Sequence, residues 1–298
     1  MIMRMWRRLK VWRRVRVGRF ALFFSFRRVV PVTRGTWGRR QAMHSLRHQP
    51  LKDSNLEKRE LEVNCETAVI VGVGPGFGYA LARKLALAGF DIALISRDAN
   101  RLAPLCSELR SFGVRCESYG MDATHELDVR ATFERLTSEI GEISLVVYSL
   151  QEFGPGNTLN ISAPAFESAW RHNCFGAFLV ARAAGQVLQA KGQGSIFLVG
   201  STSSIIGRAG HLNLAVGKFG QRALAQVMAR ELWPCGVHVA HVMIDADIAE
   251  EGVNTPEEIH SNPDDIAYSI LALHQQPSSA WSSEVDLRPW NEKFWEHC

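Results

Sequence analysis

The stretch Thr67-Ala68-Val69-Ile70-Val71-Gly72-Val73-Gly74-Pro75-Gly76-Phe77-Gly78 decides the fold. Thr67 to Val73 is a β-branched, apolar run without a charge, suited to a strand buried on both faces of a parallel sheet. Gly72, Gly74, Gly76 and Gly78 then fall within one short turn. Tyr79 to Ala88 has the composition of a helix, and Gly89 ends it. Glycines at such a turn let the backbone bend tightly and approach a pyrophosphate. The helix start beyond them offers free N–H groups and a partial positive charge. The glycine spacing carries weight here because it follows a strand and precedes a helix. Gly72, Gly74, Gly76, Phe77 and Gly78 are therefore the expected phosphate cradle. A plain tight turn is the alternative, and such turns rarely need four glycines.

Working outward, strand and helix alternate. Asp91 to Ser96 reads as a second strand, and Asp98 caps a helix to about Ser111, closed by Gly113. Val114 to Tyr119 is a third strand. Thr124 caps a helix to Ile140, and Ile143 to Ser149 is a fourth strand. One long helix is expected from Ala163 to Ala190, a fifth strand from Ser195 to Gly200 and a helix from His211 to Leu232. Val237 to Ile244 is a sixth strand. Asn262-Pro263 opens a helix to about His274, and Ala280 to Leu287 is a seventh strand. The alternation implies an α/β fold, a Rossmann-type doubly wound parallel sheet of about seven strands with helices on both faces.

The second strand ends Ile95-Ser96-Arg97. An acid here would bind the ribose 2′-hydroxyl of NAD and repel a 2′-phosphate, whereas arginine binds that phosphate through a charge-assisted fork. Ser96 and Arg97 therefore point to NADP over NAD. The alternative is that Arg97 only covers the helix beginning at Asp98.

The chain has 298 residues, 46% hydrophobic and 21% charged, which is globular rather than disordered composition. The net charge of +4 hides an asymmetry. Residues 1–52 hold 15 of the 34 lysines and arginines and none of the 30 acids, so the remainder is acidic. An acidic body argues against a folded nucleic-acid-binding domain. Three readings of the basic extension stay open: a mitochondrial presequence, a basic membrane-surface or nucleic-acid-binding arm, and a non-functional extension ahead of a start at Met43. Residues 53–65 read as a linker, and 66–298 as one nucleotide-binding domain. No apolar run is long enough to span a membrane. The six cysteines, Cys65, Cys106, Cys116, Cys174, Cys235 and Cys298, are scattered without metal-ligand spacing. No metal site is expected. The thiols read as reduced and mostly buried in a cytoplasmic protein, or a mitochondrial one if the extension is a presequence.

Residues 66–287 resemble the short-chain dehydrogenase/reductase family. Gly72 with Gly76-Phe77-Gly78 resembles its glycine loop, with Val71 in place of a threonine. The resemblance implies that Asp122, beside Ala123, contacts the adenine. It makes Asn173 support for a proton relay, Ser201 the catalytic serine and Lys218 the active-site lysine. Ser203 and Ser204 lie close enough to compete with Ser201 for that assignment. The departures are specific. Leu214, four residues before Lys218, stands where the family carries its catalytic tyrosine. Tyr148-Ser149-Leu150-Gln151 replaces an Asn-Asn-Ala-Gly, and Ile244-Asp245-Ala246-Asp247 stands where a Pro-Gly usually lies.

In the family the phenol gives a proton to the substrate oxygen as hydride reaches carbon, and the lysine ammonium lowers the phenol pKa. Leucine does neither. His211, one turn before Leu214, is a substitute acid on paper, though such a residue more often just begins a helix. Tyr148 is expected to pack beside the cofactor. Two functions follow: an NADP-dependent oxidoreductase of a small carbonyl or alcohol with an atypical proton donor, or an NADP(H)-binding sensor or scaffold without turnover. Residues 246–262 are expected to form a substrate lid, with Asp247, Glu250, Glu251, Glu257 and Glu258 unwelcoming to anions. The resemblance also implies a homo-oligomer, with contacts along 163–190 and 211–232.

Overall fold

The computed structural model describes residues 66–248 and 260–291. The extension, the linker, Cys65, Cys298 and the lid residues Glu250, Glu251, Glu257 and Glu258 lie outside them.

Seven parallel strands form one sheet: β1 (Thr67–Val71), β2 (Asp91–Ser96), β3 (Cys116–Gly120), β4 (Ile143–Tyr148), β5 (Gly194–Ser201), β6 (Val237–Ile244) and, last in chain order, β9 (Glu284–Leu287). Their spatial order is β3-β2-β1-β4-β5-β6-β9. A two-residue parallel pair, β7 (Asp247–Ile248) with β8 (His260–Ser261), brackets the lid segment. The central strands are buried along their whole length, as an all-parallel sheet covered on both faces requires.

Helices α1 (Phe77–Leu87), α2 (Ala103–Arg110) and α7 (Pro263–His274) cover one face. Leu85, Leu105 and Ile270 from them meet Ile70, Leu94 and Val147. On the other face α3 (Glu126–Glu139), α5 (Gly176–Lys191) and α6 (Leu212–Leu232) bring Leu136, Leu188 and Met228 against Val69, Val146 and Val239. The fold is doubly wound, as the alternation implies.

The structure departs from the sequence reading in several places. The expected helix 163–190 is α4 (Ala163–Trp170), a π-helical turn Arg171–Phe175 and then α5. The Tyr148 hydroxyl donates to the His172 carbonyl at 2.5 Å and supports the widened turn from outside the helix. Thr124 is not the cap of α3; His125 holds that position and Thr124 bonds Asp122. β3 begins at Cys116 rather than Val114. β9 begins at Glu284, because Ser278–Ala280 form a 3₁₀ turn ahead of it. Asp98 and Asn262 cap as expected, accepting from Asn100 N and Asp264 N.

Candidate active site

Strand order reverses between β1 and β4, and the loops leaving their carboxyl ends diverge there. Such a switch point leaves a crevice for a ligand. The loop after β1 is the glycine run. Gly72 has φ +94°, and a Cβ on it would stand 2.8 Å from Leu150 N. Gly76 has φ +83° and leads into α1. A Cβ on Gly78 would meet Val73 Cα at 3.0 Å, so this glycine lets the helix pack on the strand. Gly74 differs: nothing lies within 4 Å of its Cβ position, and that open space faces the crevice. The cradle thus has room for a ligand against bare backbone.

The loop after β4 is tied down. Ser149 Oγ donates to the carbonyls of Val71 and Gly72, both at 3.1 Å. Asn173, fully buried in the π turn, holds Glu152 by both backbone groups: its Oδ1 accepts from Glu152 N at 3.1 Å and its Nδ2 donates to Glu152 O at 2.7 Å. The carboxylate of Glu152 pairs with His172 at 2.5 Å. Asn173 is therefore a positioning residue for the cleft wall.

Two adjoining cavities share Gly72, Gly74, Ser149 and Gln151. The first, about 580 Å³, is lined by Ser96, Arg97, Arg101, Asp122 and Ala123. Ser96 Oγ donates to Asp98 O at 2.6 Å and shapes the turn. Among the described residues neither Arg97 nor Arg101 makes an ion pair. Asp122 accepts from Thr124 N and Oγ1, both at 2.8 Å. Burial pushes its carboxyl up, but those bonds, with His172 and Arg97 nearby, leave it below the usual carboxylate range.

The second cavity, about 840 Å³, gathers Ser201, Thr202, His211, Leu214, Lys218 and Asp245. Ser201 Oγ is buried and faces Ser204 N in a capping box that falls short of a full hydrogen bond, which leaves its hydroxyl proton for a ligand or water. Ser204 Oγ instead accepts from Ser201 N at 3.2 Å, and Ser203 joins the lining. Lys218 is buried, and its Nζ donates to Val199 O at 2.9 Å and Leu150 O at 3.2 Å. Burial pushes its pKa down to about 7. An ammonium has three donors, so one proton is left over. Leu214 lies one turn away on the same wall. His211 stacks on Phe153 with ring centres 4.9 Å apart. Tyr148 is fully buried with its hydroxyl committed to His172 O, and burial drives its phenol pKa far up, so it donates no proton to the cleft.

Two features were missed in the sequence. Arg101 reaches the first cavity because Asp98 folds residues 99–102 into a 3₁₀ turn; the cap followed by an arginine was the available signal. Asp245, noted only as a departure, lines the second cavity, accepts from Thr202 and pairs with Arg288.

The described residues contain no helix long and apolar enough to cross a membrane. The family model described as short chain dehydrogenase matches residues 66–252. A sepiapterin reductase of Chlorobaculum tepidum is 25% identical over 231 residues, covering 74% of this chain and 95% of its own. A sorbitol-6-phosphate 2-dehydrogenase of Escherichia coli is 27% identical over 182 residues, covering 60% and 70%. A short-chain dehydrogenase structure from Rhodopseudomonas palustris is 32% identical, covers 76% of this chain and 99% of that one, and superposes with a TM-score of 0.67. The glycine-loop crevice, the sheet order and these matches agree: the chain belongs to the short-chain dehydrogenase/reductase family.

Proposed function

We propose that this protein is an NADP-dependent oxidoreductase that passes hydride between the cofactor and the carbonyl or alcohol carbon of a small molecule, with a proton donor other than tyrosine. One observation carries the reading. Two adjoining cavities join a glycine cradle and two arginines that make no ion pair among the described residues, at one end, to a buried lysine and a buried serine hydroxyl at the other. In this reading the Gly72–Gly78 loop holds the pyrophosphate, Arg97 and Arg101 the 2′-phosphate, Asp122 with Ala123 the adenine, and Lys218 the nicotinamide ribose. When bound, the cofactor supplies the hydride. Ser201 donates to the substrate oxygen and stabilises charge developing there. Leu214 has no proton to give, so His211 delivers it from the same wall.

The domain of this activity spans 66–298, with 1–52 an extension outside it. The free cysteines, Cys106, Cys116, Cys174 and Cys235 among the described residues, support a reduced cytoplasmic setting. Exposed Phe178 on α5 with Val216, Phe219 and Val227 on α6 support association with a second copy.

The test is consumption of NADPH in the presence of small aldehydes and ketones. Ser201→Ala is expected to lower kcat by roughly 10²- to 10³-fold, and His211→Gln by about 10²-fold or more. If no carbonyl compound ever oxidises bound NADPH, the second reading takes over, a sensor or scaffold that reads NADP(H). The buried Leu214 is the observation that favours it.

A further inference from the structure

Two thiols that neither the crevice nor the proposed reaction uses are brought together beneath α2. Cys106 lies in α2 and Cys116 opens β3. The chain between them turns at Gly113, with φ +86°. Both side chains are buried, and Cys116 Sγ donates to Cys106 Sγ across 3.0 Å. Cys174 and Cys235 have other surroundings, beside Gly220 and Gln189. A disulfide requires sulfurs about 2.0 Å apart, so closing this pair needs an approach of about 1 Å. β3 is an edge strand of the sheet. Edge elements open locally at less cost than a central strand, which admits a small oxidant.

We propose that Cys106 and Cys116 form a redox-active dithiol that closes to an intramolecular disulfide on exposure to a peroxide, pinning α2 to β3. The hydrogen bond from Cys116, ahead of nearby Arg110, holds the Cys106 thiol below its ordinary value; the same bond pushes Cys116 up. Cys106, which accepts that hydrogen bond, is taken as the attacking sulfur. Its thiolate takes one peroxide oxygen, giving a sulfenic acid and releasing one water. Cys116 then attacks that sulfur, loses its proton and expels a second water. In sum two thiols and one hydrogen peroxide give a disulfide and two waters; sulfur is oxidised and peroxide oxygen reduced.

The test uses the whole chain, reduced, freed of reductant and exposed to hydrogen peroxide in native buffer. The protein is then unfolded in denaturant with iodoacetamide present, so that every remaining thiol is blocked, and is digested with trypsin without reductant. Trypsin cuts at Arg110 and Arg115, between the two cysteines, so a bridge joins two separate peptides. The expected product is that linked pair, two hydrogens lighter than the sum of its parts, lost on adding dithiothreitol and still formed in Cys174→Ser and Cys235→Ser variants. The melting temperature of the oxidised protein is expected to rise and to return on reduction. Three results overturn the proposal: both cysteines carrying iodoacetamide after oxidation and unfolding, Cys106 halted as a sulfinic acid without a bridge, or either sulfur bridged to another cysteine.

Discussion

Leu214 and Lys218 share one face of α6, a turn apart, and both line the second cavity. A tyrosine at 214 would place a phenol beside a buried ammonium, which lowers the phenol pKa. Leu214→Tyr is therefore expected to raise NADPH-dependent carbonyl reduction at neutral pH by about 10²-fold or more. Steady-state kcat at saturating cofactor measures it; no gain with cofactor bound would refute the assignment of this position. Lys218 also leaves a signature in stability. Its folded pKa of about 7 lies below the unfolded value. Between about 7 and about 10.4 the unfolded chain binds a proton that the native chain does not, so stability rises with pH across that window. Below about 7 both states are charged and the native state carries the full cost of a buried cation. The stability of wild type relative to Lys218→Met should climb from pH 7 to 10 in chemical denaturation series. A pH-independent difference would contradict the burial of a titrating lysine.

At the scale of elements, the crevice depends on close approach between the π turn and α6. A Cβ on Gly217 would overlap the side chain of Asn173. Asn173 in turn clamps Glu152, and so the loop after β4. Gly217→Ala is expected to cost about 1–3 kcal/mol and to weaken NADPH binding, read from denaturation midpoints and a cofactor titration. Unchanged values for both would show that the wall does not rely on this contact. Strands and most helices were legible because β-branched runs, caps and closing glycines are local signals. Ser201 and Lys218 were singled out only by the family resemblance, and the fold brings both to the second cavity. The π turn was not legible, because the Tyr148 hydroxyl that bonds it lies 24 residues upstream of the carbonyl that it meets. The role of Thr124 was misread for a local reason: its hydroxyl bonds Asp122, two residues before it, and His125 takes the cap position. The contact of Cys106 with Cys116 was equally hidden, since their spacing matches no motif and only the packing of α2 on β3 joins them.

For the whole molecule, two adjoining cavities meet at the glycine loop, with Arg97 and Arg101 at one end and Ser201 and Lys218 at the other. Ligand binding to the native state alone stabilises it by mass action, by about 2.7 kcal/mol at a hundredfold excess over Kd. NADPH should therefore raise the unfolding temperature more than NADH at equal concentration. If the exposed apolar side chains of α5 and α6 meet a second copy, light scattering should give a mass at least twice the 33.3 kDa of one chain; a monomer at micromolar concentration would contradict that part of the proposal. The central claim is NADP selectivity through Arg97 and Arg101. Its most direct test is a calorimetric titration of the purified chain with NADPH and with NADH, repeated on Arg97→Asp. NADPH is expected to bind tighter by roughly 10- to 100-fold, the worth of charge-assisted hydrogen bonds to a phosphate, and the variant to prefer NADH. Equal affinities in the wild type, or a preference unmoved by the substitution, would contradict it.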